Sequence, residues 1–302
     1  MKQFLLIFIV SCASLSGAIA TAWSSEPPEP NIILVLVDDL GYGDPHCYNP
    51  DSKIPTPNID RLAAEGMRFT DAHSPSAVCS PTRYGILTGR FAWRTRLKAW
   101  VLDPWDRPLI EPDRLTVAEM LRQHGYRTAC IGKWHLGFDW PTKDGKPPIR
   151  KPRDVGDCNV DFSKPIGGGP IARGFDEYFG VDAANYPPHA FIEGDRLPTP
   201  PTAWMPRVQS MRPGPMQPGW KQEGMMPAIT ERTIQFLDRQ AKESPRKPFF
   251  VYMALTAPHT PLVPNKEFIG RSQAGIYGDF VAEVDDSLGK VAAALKDRKS
   301  VV

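Results

Sequence analysis

Two periods of apolar spacing alternate along this chain. Residues 31–37 (Asn-Ile-Ile-Leu-Val-Leu-Val) are a continuous apolar run rich in branched side chains. A run without alternation predicts a strand buried on both faces, as in a parallel sheet. Residues 56–66 switch to helical spacing: Thr56 caps, Pro57 opens, Ile59, Leu62 and Ala63 share one face, and Gly66 stops the helix. A strand over 67–72 is expected next, leading to the loop that presents Cys79. Thr116 and Glu119 form a capping box, Met120 and Leu121 continue an apolar face, and Gly125 closes that helix. Residues 126–131 read as a further strand. A helix over 227–240 sets Ile229, Thr233, Phe236 and Leu237 on one side. Another buried strand at 248–255 follows, then a long helix at 277–296 striped by Phe280, Val284, Leu288, Val291 and Leu295. This strand–helix–strand order predicts an α/β protein.

Proline changes that picture most. The 302 residues include 33 prolines, well above the usual share of about 5%, so much of the polypeptide must run as ordered loops over the scaffold. Two stretches, 141–170 and 199–219, read as Pro/Gly-rich excursions. The first is a candidate border of a substrate cleft, since binding residues gather on loops. A formal net charge of +2 exerts no bulk pull toward nucleic acid or anionic membranes. Residues 1–20 read as a cleavable secretory signal, with Lys2, an apolar core at 4–10 and the small-residue site Ala18-Ile19-Ala20. That core is too short for stable membrane insertion, and 21–30 read as a linker. A periplasmic or secreted location is expected, in preference to lipoprotein anchoring at Cys12. Export permits disulfides. With Cys79 set aside, Cys47, Cys130 and Cys158 allow at most one pair, and Cys130 reads as core.

The candidate chemistry centres on Cys79-Ser80-Pro81-Thr82-Arg83. Ser80 is a good N-cap and Pro81 fits a first helical turn. Cys79 then sits just outside a helix N-terminus, where free N–H groups and the dipole favour negative charge, with Arg83 one turn in. Asp38 and Asp39 end the first strand, the place where ligands bind in open α/β sheets. Adjacent carboxylates repel unless a cation holds them, and hard oxygen donors suit Ca²⁺ or Mg²⁺. Lys133 and His135 are two apart, so on an extended segment they point the same way, a fixed charge and a titratable donor. His259 is held in Pro258-His259-Thr260-Pro261. Residues 90–100, with Arg90, Arg94, Arg96 and Lys98 among Phe91, Trp93 and Trp100, read as a solvated basic surface with its aromatics turned inward. Asn185 and His189 read as loop hydrogen-bonding residues, with substrate contact as the functional alternative.

Cys79-Ser80-Pro81-Thr82-Arg83, carried on into Thr88-Gly89-Arg90, resembles the sulfatase signature C-x-P-x-R followed by T-G-R. Gly125-Tyr126-Arg127-Thr128 with Gly132-Lys133-Trp134-His135 is similar to the second sulfatase signature, in the expected order. The segment at 174–180 is similar to one common in that family. The resemblance implies an alkaline-phosphatase-like α/β fold, a mixed, largely parallel central sheet flanked by helices, with 31–302 as an incomplete catalytic domain. It implies a sulfuric ester hydrolase, arylsulfatase-like, acting on a sulfated small molecule or glycan. Cys79 would be converted by a formylglycine-generating enzyme to Cα-formylglycine, whose hydrated aldehyde attacks sulfur and then collapses to release sulfate. Asp38 and Asp39 would hold Ca²⁺, in preference to Mg²⁺, with residue 79 also touching it. Arg83 would steady the diol, Lys133 would bind sulfate, His135 would hydrogen-bond the formylglycine, and His259 would contact sulfate or serve the leaving group.

The sequence also departs from the family. It stops after the long helix, where members continue into a strand ending in an Asp-Asn pair that completes the Ca²⁺ site. A further sulfate-binding lysine and a small subdomain come later in those proteins. The resemblance thus covers roughly the first two-thirds of a typical member, the C-terminal part is expected to be missing, and weak Ca²⁺ binding with slow turnover follows as an expectation. Two alternatives remain open from the residues: a phosphodiester or phosphonate hydrolase of the same superfamily, and a non-catalytic sulfated-glycan-binding pseudoenzyme.

Overall fold

The computed structural model describes residues 29–297. The expected signal at 1–20 and most of the 21–30 linker lie outside the described residues, as does Cys12. In chain order the elements are β1 (Ile32–Asp38), α1 (Pro57–Glu65), α2 (Cys79–Thr88), α3 (Val117–Gln123), β2 (Arg127–Lys133), β3 (Glu177–Val181), β4 (Ile192–Glu193), β5 (Ala203–Met205), β6 (Gly214–Met216), α4 (Met225–Glu243), β7 (Phe249–Pro258) and α5 (Gly275–Asp297). A five-stranded sheet runs β1-β7-β2-β3-β4, and β5 and β6 form a separate two-stranded ribbon inside the 199–219 excursion. β1, β7, β2 and β3 are mutually parallel, and only the short β4 is antiparallel. The carboxyl ends of four strands therefore open on one edge of the sheet.

β7 is the centre, with all ten residues buried. Its side chains alternate between two apolar layers. Phe250, Tyr252 and Ala254 meet Trp134, Phe175 and Tyr84 on one face. Phe249, Val251, Met253 and Leu255 meet Ile229, Phe236 and Leu237 of α4 and Phe280, Val284 and Val291 of α5 on the other. The helical stripes expected at both positions thus cover one face of the sheet. Truncating a side chain such as Phe250 to alanine removes about 3–5 kcal/mol of packing. Cys130 lies in the first layer, and Cys47, Cys79, Cys130 and Cys158 are all free thiols. No helix among the described residues is long and apolar enough to cross a membrane.

Several local expectations are corrected. Residues 67–72 form no strand, and Met67 and Phe69 are exposed. An extended apolar segment becomes a strand only when a ladder receives its N–H and C=O groups, and none lies beside it among the described residues. α1 buries no residue, and Thr56 makes no side-chain cap. The Thr56 hydroxyl instead accepts from His46 N–H at 3.1 Å. Asp285 of α5 caps the helix, accepting from Asn58 N–H at 3.0 Å and Ile59 N–H at 2.8 Å. Phe91, Trp93 and Trp100 are exposed rather than turned inward, with Phe91 and Trp93 stacked at 4.1 Å. Only Ala92 of that run's 3₁₀ turn reaches the core.

Candidate active site

Each functional side chain stands at the carboxyl edge of the sheet because a strand ends beneath it. β1 delivers Asp38, β2 delivers Lys133, β7 runs into His259, and β3 into Asp182. α2 points its N-terminus at the same place. The helix begins two residues earlier than its sequence signals suggest: Val78 is the N-cap and Cys79 the first helical residue. Ser80 is no cap, since its hydroxyl accepts from Leu102 N–H at 3.1 Å and ties α2 to the following loop.

Cys79 Sγ lies 3.7 Å from Asp38 Oδ1 and 3.2 Å from Lys133 Nζ. Lys133 Nζ donates to Asp38 Oδ2 at 2.6 Å. Arg83, fully buried one turn into α2, donates through Nη1 to Lys133 O at 2.8 Å and to Tyr252 Oη at 3.4 Å. Its Nη2 stands 3.4 Å from Asp38 Oδ1, and Nε and Nη2 have no hydrogen-bond acceptor. Two buried cations, one buried carboxylate and a helix N-terminus thus surround the thiol, an arrangement that favours an anion. Burial opposes ionisation of both Asp38 and Cys79. Lys133 and Arg83 nevertheless hold the Asp38 carboxyl well below its usual range. The His259 hydrogen bond and Lys133 likewise bring the Cys79 thiol down.

His259 Nδ1 donates to Thr260 O at 2.6 Å, which leaves Nε2 facing Cys79 and 3.8 Å from Asp39 Oδ2. Burial would lower its pKa, but the Cys79 bond and Asp38 raise it above the ordinary value. Asp39, with φ 70°, is half exposed, while Asp38 is buried. Both line a cavity of about 210 Å³ together with Cys79 and Arg83. Ligand atoms of Asp38, Cys79 and His259 lie within 4.8 Å of one another.

His135 does not continue the extended backbone of Lys133. The ladder ends at Lys133, His135 adopts φ 51°, and the alternation that would align the two side chains no longer applies. Its Nε2 donates to Leu102 O at 3.1 Å, its ring packs edge-on to Tyr186 at 5.2 Å, and Nδ1 is buried without a partner. Burial, with Lys133 nearby, keeps the ring neutral. Asn185 and His189 hold loops: Asn185 Nδ2 donates to Ser210 O at 3.2 Å and His189 Nε2 to Arg212 O at 2.8 Å. Asp182 is the residue that sequence reasoning passed over. Burial pushes its pKa up to about 7, only partly offset by Lys133 and the His135 N–H, and its Oδ1 has no partner. The signal was present, since Gly180-Val181-Asp182 ends an apolar strand in an acid just as Val37-Asp38 does.

The model of the family described as Sulfatase matches residues 30–302. N-acetylgalactosamine-6-sulfatase of Canis lupus familiaris is 30% identical over 301 residues, which are 97% of this chain and 50% of that protein. Arylsulfatase A of Homo sapiens is 33% identical over 290 residues, 94% of this chain and 52% of its own length. A solved sulfatase structure connected with metabolism of multiple glycosaminoglycans by Bacteroides thetaiotaomicron superposes with a TM-score of 0.74 at 27% identity, over 91% of this chain and 60% of that one. The chain spans about half the length of the curated relatives it matches.

Proposed function

The chain belongs to the sulfatase family, with its alkaline-phosphatase-like fold, and from that premise we propose that it hydrolyses sulfate monoesters at residue 79. The observation that carries this reading is the position of Cys79 Sγ, 3.2 Å from a buried ammonium at the N-terminus of α2. A thiol alone is a poor candidate, because a single sulfur has no second group with which to expel bound sulfate. Conversion of Cys79 to formylglycine supplies the two hydroxyls of a hydrated aldehyde, one to attack and one to collapse. The orphaned Arg83 Nε and Nη2 support that reading, as donors without acceptors beside residue 79.

The remaining roles follow from what each side chain can do. Lys133 donates to a sulfate oxygen and offsets the charge that develops there. His259, with Nδ1 committed to Thr260 O, presents Nε2 to the reacting centre and can give a proton to the leaving oxygen. His135, neutral and buried against Tyr186, keeps Nδ1 without a partner and can accept a hydrogen bond from the formylglycine diol. Asp38 and Asp39 fit a hard divalent cation in kind, since both carboxylates share one cavity with residue 79. They are fewer than the six to eight oxygens that Ca²⁺ takes, and Lys133 occupies one Asp38 oxygen. Asp38, Asp39 and an oxygen at residue 79 would therefore form part of a Ca²⁺ site. Bound there, the metal supplies Lewis-acid polarisation of a sulfate oxygen.

The reading includes export, where a formylglycine-generating enzyme meets the unfolded chain, and a sulfated small molecule or glycan as substrate. Mass spectrometry of the peptide spanning Cys79, from protein co-expressed with that enzyme, is expected to show the lower mass of formylglycine. Turnover of 4-nitrophenyl sulfate should accompany it and disappear in Cys79→Ala. Faster turnover of 4-nitrophenyl phosphate or of a phosphonate ester would overturn the sulfate assignment. An unmodified thiol with intact glycan binding would place the chain among binding proteins.

A further inference from the structure

The two proline-rich excursions meet across a cavity of about 620 Å³, within the range of small-molecule sites. Arg150 and Lys151 face it from the first excursion, and Arg207 and Arg212 from the second. The prolines at 104, 152 and 187 that line it are buried, so an apolar floor lies under a cationic rim. Asp103 is the acidic group in its lining. That carboxylate is taken: Arg212 Nη1 lies 2.7 Å from Asp103 Oδ1 and Arg150 Nη2 3.4 Å from Oδ2. Arg150 also reaches Asp106 at 2.9 Å. Lys151 and Arg207 are exposed and have no carboxylate partner among the described residues. The cleft therefore carries cationic charge that the protein itself does not neutralise.

The cleft is also wired to the nucleophile. The Arg212 guanidinium lies over the Tyr186 ring at 4.1 Å, and that ring packs on His135, whose neighbour in sequence but one is Lys133. Arg212 is held through its backbone as well, its N–H donating to Asn185 O at 2.9 Å and its carbonyl accepting from His189 Nε2 at 2.8 Å. One rigid aromatic thus separates the two cationic centres.

We propose that this cleft is a second anion subsite, taking a carboxylate or sulfate from a sugar neighbouring the one whose sulfate ester lies at residue 79. The substrate is then a polyanionic oligosaccharide rather than a small monosulfate. Guanidinium forks suit either oxyanion, and the proline floor suits the apolar face of a pyranose. The identity of this ligand rests on the sulfate-ester reading above.

Isothermal titration of the full chain tests the subsite with three probes: a chondroitin 6-sulfate hexasaccharide, the same hexasaccharide chemically desulfated, and oligothymidylate. The K151E/R207E variant changes exposed side chains only, and K151A/R207A serves as its milder counterpart. Charge reversal is expected to raise Kd for both hexasaccharides roughly tenfold, with the alanine pair intermediate. His259→Ala, in the Cys79 pocket, is expected to weaken only the sulfated probe. Loss on charge reversal with no His259→Ala discrimination would keep the cleft and remove the sulfate-ester reading. Values of Kd unchanged by charge reversal, with His259→Ala still selective, would remove the cleft and keep that reading. Tighter binding of oligothymidylate than of either hexasaccharide, lost in the same variant, would overturn the glycan assignment.

Discussion

The Lys133 ammonium lies 2.6 Å from the Asp38 carboxylate, and both side chains are almost wholly buried. The two residues end β2 and β1, which are not neighbours but flank β7, so the ion pair spans the central strand at the edge where the site opens. Asp38 also faces Arg83 at 3.4 Å. Its removal leaves two buried cations without a counter-charge, whereas removal of Lys133 leaves Asp38 still paired. Asp38→Asn is therefore expected to cost more than Lys133→Met, at about 3–5 kcal/mol for the former. Urea unfolding of both variants checks the order, and an equal or larger loss for Lys133→Met would refute it.

Asp182 gives the fold a penalty that depends on pH. Its pKa rises from an ordinary 3.8 to about 7, mainly because it is buried. Between those values the folded chain holds a proton that the unfolded chain releases, so stability falls as pH rises through the window. The full penalty, about 4 kcal/mol, is present only above the folded value. Asp182→Asn is expected to stabilise the protein at about pH 8 and to have little effect near pH 4. Denaturation curves at both pH values decide the matter, and a pH-independent difference would show that the carboxyl is not the cause.

Much of this architecture is legible locally, and the exceptions share a physical reason. β1 and β7 announce themselves because strands buried on both faces need unbroken apolar runs. The capping box at Thr116 works as written, with Glu119 N–H donating to Thr116 Oγ1 at 3.0 Å. What escapes is whatever depends on a distant partner. α1 looks self-capped, yet its acceptor is Asp285, more than two hundred residues away. Residues 67–72 have the composition of a strand but no ladder. His135 has the spacing of a second site residue, but its own left-handed backbone, with φ 51°, breaks the extended geometry that this spacing assumes. Asp39 and Cys79 were legible as a pair with Asp38 because motif and strand end both fall at one sheet edge. Asp182 carries the same strand-end signal, and the pairing of β3 with β2 brings it to that edge beside Lys133.

Asp39 isolates the proposed Ca²⁺ contribution from the fold. Its side chain is 55% exposed, and asparagine tolerates the same left-handed backbone, with φ 70°. Asp39→Asn should thus leave the metal-free melting temperature nearly unchanged. Saturating Ca²⁺ is expected to raise that temperature in the wild type, by the equivalent of about 2.7 kcal/mol at a hundred times Kd, and to do so much less in Asp39→Asn. Thermal melts with Ca²⁺, Mg²⁺ and chelator test this. Equal Ca²⁺ shifts in the two proteins would remove Asp39 from the metal site.

Gly132 sets the reach of Lys133. It pairs with Ala254 on β7 and Gly180 on β3, and its φ of 122° belongs to glycine. A Cβ at this position would run into the Ala254 carbonyl, and a Cβ at Gly180 would run into the Gly132 carbonyl. The three strands therefore close together only because both positions lack side chains, and the next residue after this crossing is Lys133. Gly132→Ala must either push β2 from β7 or rotate the peptide that carries Lys133. Either outcome breaks the Arg83 Nη1 bond to Lys133 O, 2.8 Å long in the native chain. We expect a loss of roughly 2–4 kcal/mol, from backbone strain and disturbed packing together. Gly125→Ala is the fitting control. Its φ of 89° is equally left-handed, but nothing stands within 4 Å of its would-be Cβ. Gly125→Ala should therefore lose only the strain component and leave hydrolysis of 4-nitrophenyl sulfate close to wild type, while Gly132→Ala loses that activity along with stability. Similar losses of stability in the two variants would mean that the close strand approach at Gly132 contributes nothing beyond its dihedral angle.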